Sequence, residues 1–224
     1  MRFNSSIGRL TLGAWIVAGM MTGSAGYSAA GQARALQARP TEPRIKPIEP
    51  KDWTDTQKAA LAPAGQNGQA INLYKTCAIH PKLCAAWMPL LRHALNERGG
   101  STLPPRDREI IILRIAWLRQ SPYEWGHHDR IGRSAGLTDA DIKRVPEGLG
   151  TKGWSAFDAV LLKGVEELLQ NAFITDDTWQ ALAKRYNEQQ LMDFVFTVGQ
   201  YDLLAMALNS FGVQLEPNLA TFPR

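Results

Sequence analysis

The chain has 224 residues, 45% hydrophobic and 21% charged, which fits one globular domain and excludes a disordered or fibrous chain. The formal net charge is +4, but residues 1–35 hold Arg2, Arg9 and Arg34 and no acid, so the rest of the chain carries +1. No run of Lys and Arg remains there to give nucleic acid an electrostatic footprint.

Residues 1–35 have the layout of a secretory signal peptide. A short start with Arg2 and Arg9 leads into the uncharged run Leu10 to Met21, and small residues follow, with cleavage candidates at Ser28-Ala29-Ala30 and Ala33-Arg34-Ala35. The apolar run is shorter than the roughly 20 residues that span a bilayer. The pattern predicts a periplasmic or secreted protein with no membrane contact after cleavage; an uncleaved membrane anchor is the alternative. Residues 36–52 carry Pro40, Pro43, Pro47 and Pro50 and read as an extended linker or wrapping arm. The domain then occupies residues 53–224.

Within it, Thr54 opens a helix to Ala62, and Gly65 to Gly68 breaks it. Ile71 to Ala78 and Lys82 to Asn96 read as helices, the second with Leu90, Leu91 and Leu95 on one face. Gly99-Gly100 and Pro104-Pro105 mark the next boundary, and Pro105 fits a first helical turn, where its missing N–H costs nothing. From there to about Arg119 the pattern is apolar nearly all round, as in a buried helix. Ser121-Pro122 starts another helix that Gly136 stops after about Ala135. Thr138 begins a short helix cut off by Pro146, Trp154 to Asn171 is amphipathic, Thr175 caps a helix to about Tyr186, and Gln189 to Phe211 is long and apolar. No strand alternation appears, so the expected fold is all-α, a bundle or an obligate oligomer.

The two cysteines, Cys77 and Cys84, flank a turn in which Pro81 starts a helix, which can bring the thiols close. They read either as a disulfide in an oxidising compartment or as two free buried residues.

The richest stretch is Ser121-Pro-Tyr-Glu-Trp-Gly-His-His128. Glu124 and His128 are four apart and share a helical face, and His127 lies near it. A carboxylate beside an imidazole moves protons at neutral pH. Ser121 and Glu124 also have the spacing of a capping box, with Pro122 at the first helical position. Glu109 opens the most apolar helix; it can complement the helix dipole or pair with Arg106 or Arg108. A metal site on Glu109, Glu124 and His128 matches no recognised zinc spacing, so no metal and no cofactor are expected.

Residues 104–145 resemble the carboxymuconolactone decarboxylase family, which is similar to the alkylhydroperoxidase D proteins. The resemblance rests on Arg108-Glu109, Tyr123-Glu124-Trp125 with His128, and Ala135-Gly-Leu-Thr138. It extends to Ile174-Thr175, Trp179 and Val198-Gly-Gln-Tyr201 leading to Asn209. It implies an alkylhydroperoxidase D-like helical bundle assembling as a homo-trimer or homo-hexamer. On the Cys-x-x-Cys-x-x-x-His motif of the alkylhydroperoxidase D proteins, Ser121 and Glu124 stand where the thiols are, His128 matches the histidine, and Glu109 matches the upstream glutamate. Thiol peroxide chemistry needs a thiolate and a resolving partner. The resemblance therefore points to the decarboxylase branch, acting on a small carboxylated or lactone substrate. In that reading His128 donates the proton, Glu124 sets its tautomer, Glu109 completes a relay, and Ser121 with its helix N-terminus and His127 bind substrate. A peroxidase and a non-catalytic oligomeric binding protein are the alternatives.

Overall fold

The computed structural model describes residues 39–61, 70–96 and 99–223, so the expected signal peptide lies outside the described residues. Among them there is no strand. The helices are α1 (Asp55–Leu61), α2 (Asn72–Cys77), α3 (Pro81–Ala94), α4 (Pro105–Leu118), α5 (Pro122–Ser134), α6 (Asp139–Arg144), α7 (Ala156–Asn171), α8 (Asp176–Ala183) and α9 (Glu188–Phe211). The all-α expectation holds, and Pro81, Pro105 and Pro122 each occupy a first helical turn.

Helix α4 is the axis of the fold. Every residue from Asp107 to Ala116 is buried, and α5, α7 and α9 pack around it. One side places Ile111, Ile112 and Ile115 in a core with Phe194, Val198 and Tyr201 of α9. The other places Ile110, Leu113 and Ala116 against Trp125, Leu137, Val145 and Leu162. At about 1.5–3 kcal/mol for each large apolar side chain taken from water, this two-sided burial overrides the weak helix preference of its β-branched residues. Because α4 has no solvent face, its charged residues have to find partners inside.

Local chemistry sets the helix ends. Capping boxes open α6 (Thr138 with Asp141), α7 (Ser155 with Asp158) and α9 (Asn187 with Gln190). Two expected caps are absent. Thr175 precedes α8 without a side-chain cap, because its hydroxyl is bonded to Glu167 and Thr178. Ser121 precedes α5 without one as well. Its N–H already donates to the Ala116 carbonyl at 2.8 Å, so the donor that a capping box offers to Glu124 is spent.

The two ends of the described chain are tied down. Residues 39–52 lie against the end of α9, where the N–H groups of Arg44 and Ile45 donate to the Phe211 carbonyl at 2.9 and 3.2 Å. The final residues cross α5. There a Cβ on Gly126 would stand 2.7 Å from Leu215 Cδ1 and 2.8 Å from the Ala220 carbonyl, and Phe222 packs edge-on to Trp117 at 5.3 Å.

Candidate active site

The packing of α4 on α5 brings Glu109 and His128 together. Glu109 is fully buried, and its Oε2 lies 2.6 Å from His128 Nδ1. Its other oxygen accepts from Arg108 Nε at 2.8 Å. Burial acts to raise the carboxyl's pKa, but the charge and hydrogen bond of His128, joined by Arg108, outweigh it and hold Glu109 below the usual carboxylate range. An ionised carboxylate only accepts hydrogen bonds, so Nδ1 carries the proton and the tautomer of His128 is set by Glu109.

Glu124 therefore does not have the expected role. It shares α5 with His128 but makes no bond to it, and neither of its carboxyl oxygens has a hydrogen-bond partner. Burial drives its pKa well above the ordinary value. The Ser121 hydroxyl offsets part of the rise, although no hydrogen bond of ordinary geometry joins the two, and the charge of Asp202 adds to it. Burial thus favours the neutral acid form of Glu124, which can donate as well as accept.

Two other unpartnered polar atoms lie beside these groups: Ser121 Oγ and the Tyr201 hydroxyl. Tyr201 meets the His128 ring edge-to-face at 5.0 Å. Burial, then the Glu109 and Glu124 carboxyls, push its phenol well above the usual tyrosine range. Buried polar atoms normally find partners, so the unpartnered oxygens of Ser121, Glu124 and Tyr201 single out the surroundings of the Glu109–His128 pair.

Sequence reasoning did not assign Tyr201 to the site. The available signal was a phenol on the buried face of α9, among Val198, Leu204 and Leu208. His127 faces another group. Its Nε2 is 2.7 Å from Glu216 Oε2, while Glu216 also accepts from the Asn72 N–H at 2.7 Å and the Tyr123 hydroxyl at 3.2 Å. Burial alone would raise Glu216, yet these bonds, His127 first, lower its pKa to about 2. His127 thus pins the C-terminal segment to α5. Of the expected site residues, Ser121, Glu124 and His128 share the enclosed interior with Glu109, and His127 stands apart. Among the described residues no group of three or more His, Cys, Asp or Glu has metal-binding geometry.

The resemblance matched Glu109 and His128 to the motif; the direct contact between them, in place of one between Glu124 and His128, comes from the packing of α4 on α5. Residues 81–161 match the carboxymuconolactone decarboxylase family. The matched segment holds Glu109, Ser121, Glu124, His127 and His128. No curated protein matches the chain.

Solved structures share the fold of the chain. A peroxidase-related protein from Silicibacter sp. TM1040 superposes with a TM-score of 0.67 at 14% identity, over 84% of this chain and 100% of that one. The alkylhydroperoxidase AhpD core of a peroxidase-related protein from Ralstonia eutropha JMP134 gives 0.66 at 17% identity, over 80% and 95%. The debrominase Bmp8 in complex with 2,3,4-tribromopyrrole gives 0.64 at 14% identity, over 79% and 94%. The chain thus has the fold of these AhpD-like structures.

Proposed function

We propose that this chain is a proton-transfer enzyme of the carboxymuconolactone decarboxylase type, acting on a small carboxylated or lactone substrate. The observation that carries this reading is the 2.6 Å contact between His128 Nδ1 and Glu109 Oε2 inside a buried polar cluster. With Nδ1 committed to Glu109, Nε2 is left for the substrate. Loss of carbon dioxide leaves electrons that flow to a carbonyl oxygen and give an enolate. Neutral Glu124 donates a hydrogen bond to that oxygen, with Tyr201 as second donor, and His128 returns a proton to carbon. Glu109 stabilises the imidazolium, and Arg108 keeps Glu109 ionised when His128 gives up its charge.

The positions of the alkylhydroperoxidase D thiols hold no thiol here, since Ser121 and Glu124 occupy them. This favours the lyase over a thiol peroxidase. The test is carbon dioxide release from a panel of small carboxylated lactones, with His128→Gln alongside. Turnover lost in the variant, with its helical signal and melting intact, supports the reading. Equal turnover in the variant, or no release from any lactone, overturns it.

The partner in solution is proposed to be further copies of the same chain, as a homo-trimer or homo-hexamer. Met192, Phe196, Leu203 and Met206 are all exposed on α9. Their steps of three, four and seven residues make the seam by which one helix packs on another. Export to the periplasm or secretion, with the signal peptide removed, completes the proposal.

A further inference from the structure

The proposed reaction leaves both cysteines unused. Helix α2 ends on Cys77, and α3 carries Cys84 in its opening residues. The turn between them is held by the His80 N–H on the Cys77 carbonyl (3.0 Å) and the Cys84 N–H on the His80 carbonyl (3.2 Å). Both thiols are free and buried. Both line an apolar pocket of about 580 Å³, walled by residues such as Leu73, Trp87, Leu204 and Leu208. Ile79 and Leu83, on the same wall, are about half exposed, so the pocket opens to solvent in the single chain, with Leu203 and Met206 of the proposed seam on its α9 side.

The two thiols differ. The neighbouring Cys84, ahead of burial, pushes Cys77 up. Cys77 in turn lowers Cys84 against the opposing effect of burial. Cys84 also sits in the first turn of α3, and the start of a helix favours a thiolate. Its place in the fold makes Cys84 the thiol to attack first.

We propose that Cys77 and Cys84 form a second reactive site, a dithiol that exchanges with small apolar disulfides entering the pocket and closes into a reversible Cys77–Cys84 disulfide. The Cys84 thiolate attacks one sulfur of the incoming disulfide and breaks its S–S bond. The departing thiolate takes up a proton, and a mixed disulfide remains on Cys84. Cys77 then loses its proton, attacks the Cys84 sulfur and expels the second thiol. Two protein thiols are oxidised and one external disulfide is reduced to two thiols. The apolar wall selects neutral, ring-bearing or alkyl disulfides over charged ones.

The test uses the full chain, reduced and then treated with 4,4′-dithiodipyridine, a neutral aromatic disulfide whose released thiopyridone absorbs light. Wild type should release two equivalents, one for each cysteine of the chain, and end with no adduct. Trypsin cuts after Lys82, between the cysteines, so peptides 76–82 and 83–92 should stay joined until a reductant is added. Cys77→Ser should trap the pyridyl adduct on Cys84. In Cys84→Ser, Cys77 should react about tenfold more slowly, as the less acidic thiol. Separate adducts on both cysteines of wild type, with no joined peptides, would overturn the proposal without needing either variant. Equal rates for the two variants would overturn the assigned order of attack. Because the readout is thiol release, failure here leaves the His128 reading untouched, and failure of that reading leaves this one untouched.

Discussion

Glu124 and His128 lie one turn apart on α5, yet only His128 is bonded: it holds Glu109, while both oxygens of Glu124 stand without a partner. Two buried carboxyls are thereby pushed in opposite directions, Glu109 toward the ionised form and Glu124 toward the protonated one. Environments that drive two acids apart in this way separate the group that stabilises a charge from the group that donates a proton.

Replacing Glu109 tests the ionised half. In Glu109→Gln the buried Arg108 guanidinium loses its counter-charge. An uncompensated buried charge costs about 3–5 kcal/mol, to be read as a lower midpoint in urea. Removing Arg108 as well, in Arg108→Met with Glu109→Gln, should recover part of that loss. A Glu109→Gln protein as stable as wild type would show that the pair is dispensable.

Glu124 tests the protonated half through pH. In the unfolded chain it gives up its proton above about pH 4.3, whereas the folded interior keeps it on. Ionisation therefore favours unfolding, and stability falls as pH climbs past that value. The slope is at most about 1.4 kcal/mol per pH unit, until the folded carboxyl also ionises. Glu124→Gln removes this contribution, so the variant should gain on wild type as pH rises. A constant gap between the two proteins from about pH 5 to pH 8 would mean that Glu124 is charged in the fold.

Tyr201→Phe removes a buried hydroxyl that has no partner. Melting should hold steady or rise, since an unsatisfied polar atom leaves the core. If the hydroxyl helps bind the developing oxyanion, kcat should drop by about 10²-fold. Activity kinetics beside a thermal melt separate the two effects.

The C-terminal segment gives a fourth outcome. Glu216 has its pKa lowered to about 2, so its contribution is complete above the unfolded value of about 4.3 and vanishes as pH falls through about 2. Glu216→Gln should flatten that part of the acid limb. Gly126→Ala drives a methyl against Leu215 and the Ala220 carbonyl, a strain of about 1–3 kcal/mol. Chymotrypsin should then cut after Leu215 or Leu219 in the variant well before wild type.

Much of the helical layout was readable in the sequence because its punctuation is covalent: Pro105 and Pro122 start helices, and Gly136, at φ +95°, stops one. The partner of His128 was not readable from local spacing. Helical periodicity favoured Glu124, four residues away, while the true contact spans 19 positions and exists only because α4 packs on α5. Resemblance supplied Glu109, but as the last member of a relay and not as the group in direct contact. The capping box at Ser121 failed for a reason no pattern carries, the earlier claim of Ala116 on the Ser121 N–H. His127 looked interchangeable with its neighbour until the far end of the chain, at Glu216, took it up.

The arm over residues 39–52 acts as a strap across the end of α9. Two of its amides close the last carbonyl of that helix, Ile48 N–H is fastened to the Lys75 carbonyl at 3.0 Å, and the Trp53 indole reaches back to Ile48 at 2.8 Å. Trimming the gene to begin at residue 39 keeps every one of these ties. A start at Trp53, the natural place to cut by sequence, would strip them away and leave the longest helix frayed at its terminus.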